Sequence, residues 1–541
     1  MLFIRPLPCF PSRLARPGRT TLPRHPLLIT QSNVRQRPLL CGISSTRTLA
    51  SDRTATKPVN ATPDRSLPVS LPVPTIRRVL ASRQVGDSVD VSGWVRSVRR
   101  QKARAFIELC DGSSLEGIQI VLESNILTQC STLPTTGTSV RVQGILARSP
   151  GGKQTTEIVA NEFTIIGECD PDSYPLQKKY HSIEFLRSVP HLRPRTRTFT
   201  GLLRLRDGAT RYLDEFFANQ DFVRIHTPIL TSHDCEGGGE VFKVVNHSQH
   251  QAGENKEFFQ RPVFTTVSAQ LHAEIMAHSL SRVYTFNPTF RAEPSMTYRH
   301  LAEFWMLEAE MAFITDVHQL VDLAESMLRH VTRQILDDYA SELVHFQRWV
   351  SKVSSNDAPV DLEQRWRTFV DQPFARMTYT EAVEILQQHV QSHPGAFTFP
   401  VEWGKDLQHE HEQFLADHYC QGPVFVTDYP SGIKAFYMQD NPTQQEQPGT
   451  TSASVDLLVP GPGELLGGSL REHRFDALMA KLQKYHLDPK EYEWYTDLRR
   501  YGSVPHGGFG LGFDRYIQML TGIKSIRDII PFARYSGHCH L

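Results

Sequence analysis

Residues 284–313 read YTFNPTFRAEPSMTYRHLAEFWMLEAEMAF, two alternating runs joined by a polar loop. Side chains along a strand alternate between faces, so residues two apart share one. On the first run Arg291 and Glu293 fall together, opposite Phe286 and Phe290. On the second, Trp305, Leu307, Ala309, Met311 and Phe313 line one face, and Phe304, Met306, Glu308 and Glu310 the other. The loop adds Arg299 and His300. One face of the predicted hairpin thus carries a guanidinium, carboxylates and an aromatic ring. That is a nucleotide platform, with Arg for phosphate oxygens and a ring for the base. Alternation alone equally suits a half-buried hairpin with solvated charges.

The segment FRAEPSMTYRHLAEFWMLEAE resembles motif 2 of the class II aminoacyl-tRNA synthetases, in the form used by the aspartyl/asparaginyl subgroup. The bulk properties are compatible with that family. At 541 residues the chain exceeds one ordinary core, and two or more domains are expected. Formal net charge is zero, which excludes a general nucleic-acid coating protein and confines any nucleic-acid contact to local basic patches. The eight cysteines form no C-x-x-C pair, so a zinc ribbon or dithiol site is not expected. No apolar run reaches membrane-spanning length. The first fifty residues hold eight arginines and no acidic residue, the composition of a transit peptide into mitochondria or plastids. We read residues 1–50 as that peptide, 51–75 as a linker, and the destination as the mitochondrial matrix.

From Val85 the texture changes to short β-branched segments separated by Gly, Asp and Ser turns, which over 76–169 suits a small β-barrel and, from pattern alone, equally a β-sandwich fragment. GWVRSVRRQKARAFIELCDGSSLEGIQ resembles the OB-fold anticodon-binding barrel of the aspartyl/asparaginyl/lysyl group. The resemblance implies Phe106 as a stacking ring and Arg99 and Gln119 as polar readers of unstacked bases. Residues 170–200, rich in Pro, Arg and Lys, are expected to form a hinge. The resemblance implies that residues 201–541 form the catalytic domain, an antiparallel β-sheet flanked by helices. The fold class is therefore α+β and multidomain.

Several segments of 201–541 resemble the remaining family signatures. Leu203, Tyr212, Leu213, Phe216 and Phe217 are expected to share one side of a helix, and the run from there to His226-Thr227-Pro228 resembles motif 1, which implies a homodimer. Glu236, before three glycines, corresponds to the residue that receives the α-ammonium of the amino acid. Residues 244–260 are expected to form a lid. VSAQLHAE, residues 267–274, follows the asparaginyl pattern S-G-Q-L-x-x-E, with Ala269 in place of Gly, and places Ser268, Gln270 and Glu274 at the amino acid. Aspartyl enzymes carry lysine where this chain has Ala273. An Asp carboxylate beside Glu274 without that lysine would be costly to bury, whereas an Asn amide offers N–H donors. Asparagine is therefore the implied substrate, and tRNA(Asn) the implied partner.

Within motif 2 the resemblance implies Arg291 on the α-phosphate of ATP, Arg299 and His300 toward the γ-phosphate, Phe304 stacked on adenine, and Glu293 at the adenine edge or the acceptor end. Pro294 departs from the family pattern. VDLLVPGPGELLGGSLRE implies Asp456 and Glu464 as Mg2+ ligands and Arg471 as reader of the Asn carbonyl oxygen. PHGGFGLGFDRYIQML resembles motif 3, which implies Arg515 on the γ-phosphate while it covers adenine opposite Phe304. Arg291 and Arg515 are the implied catalytic residues. Residues 340–376 carry little motif signal and read as an insertion. His409, Glu410, His411 and Glu412 are expected on a polar helix surface rather than at a metal. Rival readings remain an aspartyl or non-discriminating enzyme, a tRNA-binding paralogue without catalysis, and an asparagine synthetase on the same catalytic fold.

Overall fold

The computed structural model describes residues 73–541, apart from 131, 153, 233–240, 247–256, 296, 354–360 and 443–447. The expected transit peptide, most of the linker, Glu236 and the centre of the lid lie outside the described residues. The strands β1 (Ser88–Arg100), β2 (Arg104–Cys110), β3 (Ile118–Glu123), β4 (Ser139–Arg148) and β5 (Thr156–Gly167) close into a barrel in the order β1-β2-β3-β5-β4. Alternate residues such as Ala105, Ile107 and Leu109 fill its interior with Ile118, Ile120, Val140 and Val142. Phe106 and Glu108, one residue out of phase, stay on the outside, half-buried.

The hinge is docked rather than solvated. Arg193 is buried and donates to the carbonyls of Ile530 (2.6 Å) and Pro531 (2.5 Å), and Arg187 pairs with Asp528 at 2.5 Å. A buried guanidinium needs such acceptors, so this contact fixes the segment against the end of the catalytic domain.

That domain is built on eight strands in the order β11-β12-β13-β14-β15-β10-β9-β6: β6 (Val223–Arg224), β9 (Arg282–Phe290), β10 (Glu303–Ala312), β11 (Ala375–Thr378), β12 (Val424–Thr427), β13 (Ser454–Val459), β14 (Gly463–Leu470) and β15 (His506–Gly512). β7 (Leu230–Thr231) and β8 (Phe264–Thr265) pair separately. Neighbours are antiparallel except β11 with β12 and β6 with β9, so the sheet is mixed at its edges. One face carries Leu307, Ala309, Met311, Phe509, Leu511, Leu466, Val455 and Leu457, and packs under the helices Arg197–Asn219 and Val317–Asp338. The alternating residues left on the other face form the site.

Two expectations change here. The first strand of the hairpin ends at Phe290, which puts Arg291 and Glu293 in the following loop, free of strand alternation. The helix of motif 1 buries Leu202, Leu205, Tyr212, Leu213, Phe216 and Phe217; Leu203 lies off the buried stripe, one residue and about 100° away. The stretch read as an insertion packs inward: helices Ala340–Val353 and Leu362–Asp371 bring Leu343, Phe346, Val350, Leu362, Trp366 and Phe369 into the main core.

Candidate active site

The site face exists because glycine alternates with large apolar residues in β15. Phe509 and Leu511 point into the core, while Gly508 and Gly510 face the site. A Cβ on Gly508 would stand 1.9 Å from Glu310 Oε2, and one on Gly510 would stand 2.6 Å from Met306 Cε. The glycines thus leave room for the side chains of β10.

Glu274 and Glu310 are both fully buried there. Glu274 Oε2 accepts from Tyr495 Oη (2.8 Å), Arg499 Nη2 (2.9 Å) and His506 Nε2 (3.0 Å). Its Oε1 accepts from Gln270 Nε2 at 3.1 Å and lies 4.0 Å from Arg471 Nε. Burial works against the charge of Glu274, but Arg499, His506 and Arg471 hold its carboxyl well below the usual range. Glu310 accepts from Arg471 Nε (3.1 Å) and Nη2 (3.0 Å), and Arg471 Nη1 donates to Ser469 Oγ (2.7 Å). Burial and the like charge of Glu274 push the Glu310 carboxyl upward, against the pull of Arg471. Both Glu310 oxygens accept, the bonding of an ionised carboxylate. Burial draws the His506 pKa below its ordinary value. The two carboxylates, Glu274 and Glu310, thus stand against two guanidinium groups, Arg471 and Arg499, and these four charges cancel.

Ser268 is held through its hydroxyl by Glu308, whose two oxygens also accept from Ala269 N at 3.0 and 2.9 Å. Ala269 has φ −90° and ψ −2°, ordinary backbone, so its methyl group introduces no strain where the family pattern has glycine. Ala273 lies in an apolar cluster with Ile225, Ala277 and Val283.

The seven residues assigned to ATP come together. Arg291, Glu293, Arg299, His300, Phe304, Glu464 and Arg515 line one cavity of about 170 Å³. Arg291 stands 5.8 Å from the Phe304 ring centroid and 4.0 Å from Glu293. His300 lies 3.4 Å from Glu293, and Arg299 3.5 Å from Glu412. Arg515 Nη1 donates to Glu464 O (2.6 Å) and lies 3.3 Å from Glu464 Oε2. Pro294 is exposed.

Asp456 and Glu464 converge over Gly467, where a Cβ would stand 3.2 and 3.4 Å from their oxygens. A register shift beside Leu457–Leu458 brings Glu464 to this face. Lys434 pairs with Asp456 at 2.7 Å. Burial and the neighbouring Glu464 charge raise the Asp456 carboxyl against Lys434. Burial also disfavours charge on Glu464, yet Arg515 and Lys434 keep its carboxyl low. Two close oxygen donors of like charge over a glycine fit a hard divalent cation such as Mg2+.

His409–Glu412 are not on a polar surface, contrary to expectation. Their short helix, His409–Gln413, packs against the turn between β13 and β14. His411 is buried, and Glu412 accepts from Glu464 N at 3.3 Å. Gly463, with φ +80°, leaves the space that Glu412 and His409 occupy. Sequence reading also gave no role to Glu310, Lys434, Tyr495, Arg499 or His506; only Glu310 had a signal, its place on the polar face of the hairpin.

On the barrel, Arg99 and Phe106 pair across β1 and β2, the guanidinium 4.8 Å from the ring centroid. Gln119 donates to Glu157 at 2.7 Å. Among the described residues no helix is long and apolar enough to cross a membrane.

Residues 182–536 match the family of class II tRNA synthetases (D, K and N), and residues 89–166 match the OB-fold nucleic acid binding domain. The chain is 46% identical over 473 residues to an asparagine--tRNA ligase of Thermosynechococcus vestitus, covering 86% of this chain and 98% of the relative. It is 43% identical over 458 residues to a probable mitochondrial asparagine--tRNA ligase of Dictyostelium discoideum, covering 84% and 94%. The asparaginyl-tRNA synthetase of Pyrococcus horikoshii, solved with asparaginyl-adenylate, superposes with a TM-score of 0.72 at 29% identity, covering 84% of this chain and 97% of that one.

Proposed function

The chain belongs to the class II tRNA synthetases of the D, K and N group, and from that premise we propose that it attaches asparagine to tRNA(Asn) through an asparaginyl-adenylate, in organellar translation. In the first step an Asn carboxylate oxygen bonds to the α-phosphorus of ATP. The bond to the α,β-bridging oxygen breaks, and pyrophosphate leaves with its electron pair. In the second, the terminal ribose hydroxyl of the tRNA attacks the acyl carbon and AMP leaves.

The observation that carries the choice of amino acid is the balanced set Glu274, Glu310, Arg471 and Arg499. A neutral amide enters it without disturbing the balance, whereas an Asp carboxylate would leave one buried charge uncompensated. Glu274 Oε1 takes an amide N–H and Arg471 donates to the amide oxygen. Gln270 steadies Glu274, Ser268 acts through Glu308, and Glu236 takes the α-ammonium.

Arg291 stabilises the charge that develops at the α-phosphate, Phe304 and Arg515 enclose adenine, and Arg299 and His300 take the far end of the triphosphate. Glu293 meets the adenine edge. Asp456 and Glu464 would hold Mg2+, which supplies charge neutralisation at the phosphates. On the barrel, Arg99, Phe106 and Gln119 receive anticodon bases. Exposed Val223, Ile229 and Leu230 after the motif 1 helix support a homodimer. The acid-free N-terminus and the Dictyostelium relative support a mitochondrial address.

ATP–pyrophosphate exchange tests this reading. Asn should drive exchange with a kcat/KM about 10³-fold above that of Asp, the scale of one uncompensated buried charge. Equal exchange with Asp would assign the chain to the non-discriminating reading.

A further inference from the structure

The helices Ala340–Val353 and Leu362–Asp371, which carry no motif, wall a second cavity beside the one for the nucleotide. Its volume is about 460 Å³, and Arg299, Arg365, His409, Arg515, Lys524 and Gly461 line it. Among the described lining residues there is no aspartate or glutamate. Arg299 and Arg515 line the nucleotide cavity as well, so the two spaces adjoin across their guanidinium groups.

Arg365 is placed with care. Gly461, at φ +91° in the turn between β13 and β14, would carry a Cβ 3.2 Å from Arg365 Nη1. Glycine there serves both the backbone and the guanidinium. Burial lowers the Arg365 pKa, and among the described residues Asp417 is the one charge that opposes the shift. His409 Nδ1 is buried at the same cavity, 3.5 Å from Glu412 and without a hydrogen bond. Glu412 stands 3.5 Å from Arg299, Glu464 stands 3.3 Å from Arg515, and Asp417 acts on Arg365, but none of these carboxylates lines the cavity, so the described wall presents its cations to an entering anion.

We propose that this cavity receives the inorganic pyrophosphate released by adenylate formation, which passes from Arg299 and Arg515 to Arg365 and Lys524 before it leaves. The proposal rests on the synthetase reading above. The leaving group is the polyanion generated next to Arg299 and Arg515, and Phe304 lines the nucleotide cavity but not this one. Drawing it there separates it from the α-phosphorus and slows reversal. The integral packing of 340–376 then has a purpose in the reaction, since it positions Arg365.

The test is equilibrium binding to enzyme saturated with a non-reactive asparaginyl-adenylate analogue, titrated calorimetrically with inorganic pyrophosphate and Mg2+. A parallel titration with a non-hydrolysable ATP analogue reports the nucleotide site. Arg365→Gln should weaken pyrophosphate about tenfold, the loss of one charge-assisted contact. The same variant should move the ATP analogue by less than about twofold, since the contact is outside that site. Lys524→Gln, at an exposed position, should weaken pyrophosphate by about threefold. Where Arg365→Gln yields no folded protein, Lys524→Gln decides on the same criterion. Unchanged pyrophosphate affinity, an equal loss for both ligands, or orthophosphate binding as tightly as pyrophosphate overturns the proposal. A wild-type enzyme without Asn-dependent exchange would instead overturn the function it rests on.

Discussion

The amino-acid pocket and the nucleotide cavity lie on one sheet face and are organised in opposite ways. In the pocket, Glu274 and Glu310 are fully buried, and Tyr495, Arg499, His506, Gln270 and Arg471 bond to them at 2.8 to 3.1 Å. In the cavity, Arg291, His300 and Arg299 lie 3.4 to 4.0 Å from their carboxylates and stay partly exposed. Buried ionic networks are strong only when complete, and they resist rearrangement. Loose, half-solvated pairs are weak and easily exchanged for phosphate oxygens. The pocket is therefore built to select, and the cavity to yield to a triphosphate.

Breaking the pocket should have the largest effect. Glu274→Gln leaves Arg499 and Arg471 with one carboxylate between them, and kcat/KM for Asn should fall about 10³-fold in adenylate formation, as for a broken buried pair. A loss under about tenfold would place the amide elsewhere.

The cavity should respond in the reverse sense. Glu412 holds Arg299 when no triphosphate is present, so Glu412→Gln should free that guanidinium and lower the KM for ATP by about threefold. A raised KM would make Glu412 a positioning residue for Arg299 instead.

The smallest effect is a titration. His506 meets Glu274 through Nε2, its Nδ1 faces the Val504 carbonyl at 2.8 Å, and its ring packs against His278. Its pKa is drawn below 6.5 by burial. As pH falls, His506 and Glu310, whose carboxyl burial pushes upward, take up protons, and the pocket gains positive charge. Preference for Asn over Asp should therefore narrow by about threefold between about pH 7.5 and 5.5. A preference that widens on acidification contradicts the charge balance.

What the sequence made legible follows the same division. The cavity is assembled from contiguous segments, so Arg291, Arg299, His300 and Phe304 could be read from one hairpin and Arg515 from one glycine-rich strand and helix. The pocket depends on contacts between residues 221 to 232 positions apart, such as Tyr495 and His506 with Glu274, and no local pattern announces them. Composition misled at His409–Glu412, where four polar residues suggested solvent but glycine in the facing turn admits them to the interior. Ala273, at the position of the contrast with aspartyl enzymes, belongs to an apolar cluster, whereas its neighbour Glu274 lies in the buried charged network. The stretch 340–376 carried little motif signal because most of its residues pack, and many apolar sequences serve for that.

The central claim is that net neutrality, maintained by Glu310 as much as by Glu274, selects the amide. The most direct measurement is the ratio of kcat/KM for Asn over Asp in ATP–pyrophosphate exchange, for the wild type and Glu310→Gln. Removing that charge leaves the pocket positive, so the ratio should fall at least about tenfold, with a gain for Asp making up part of the change. An unchanged ratio, or a fall due only to lost Asn activity, would contradict the account.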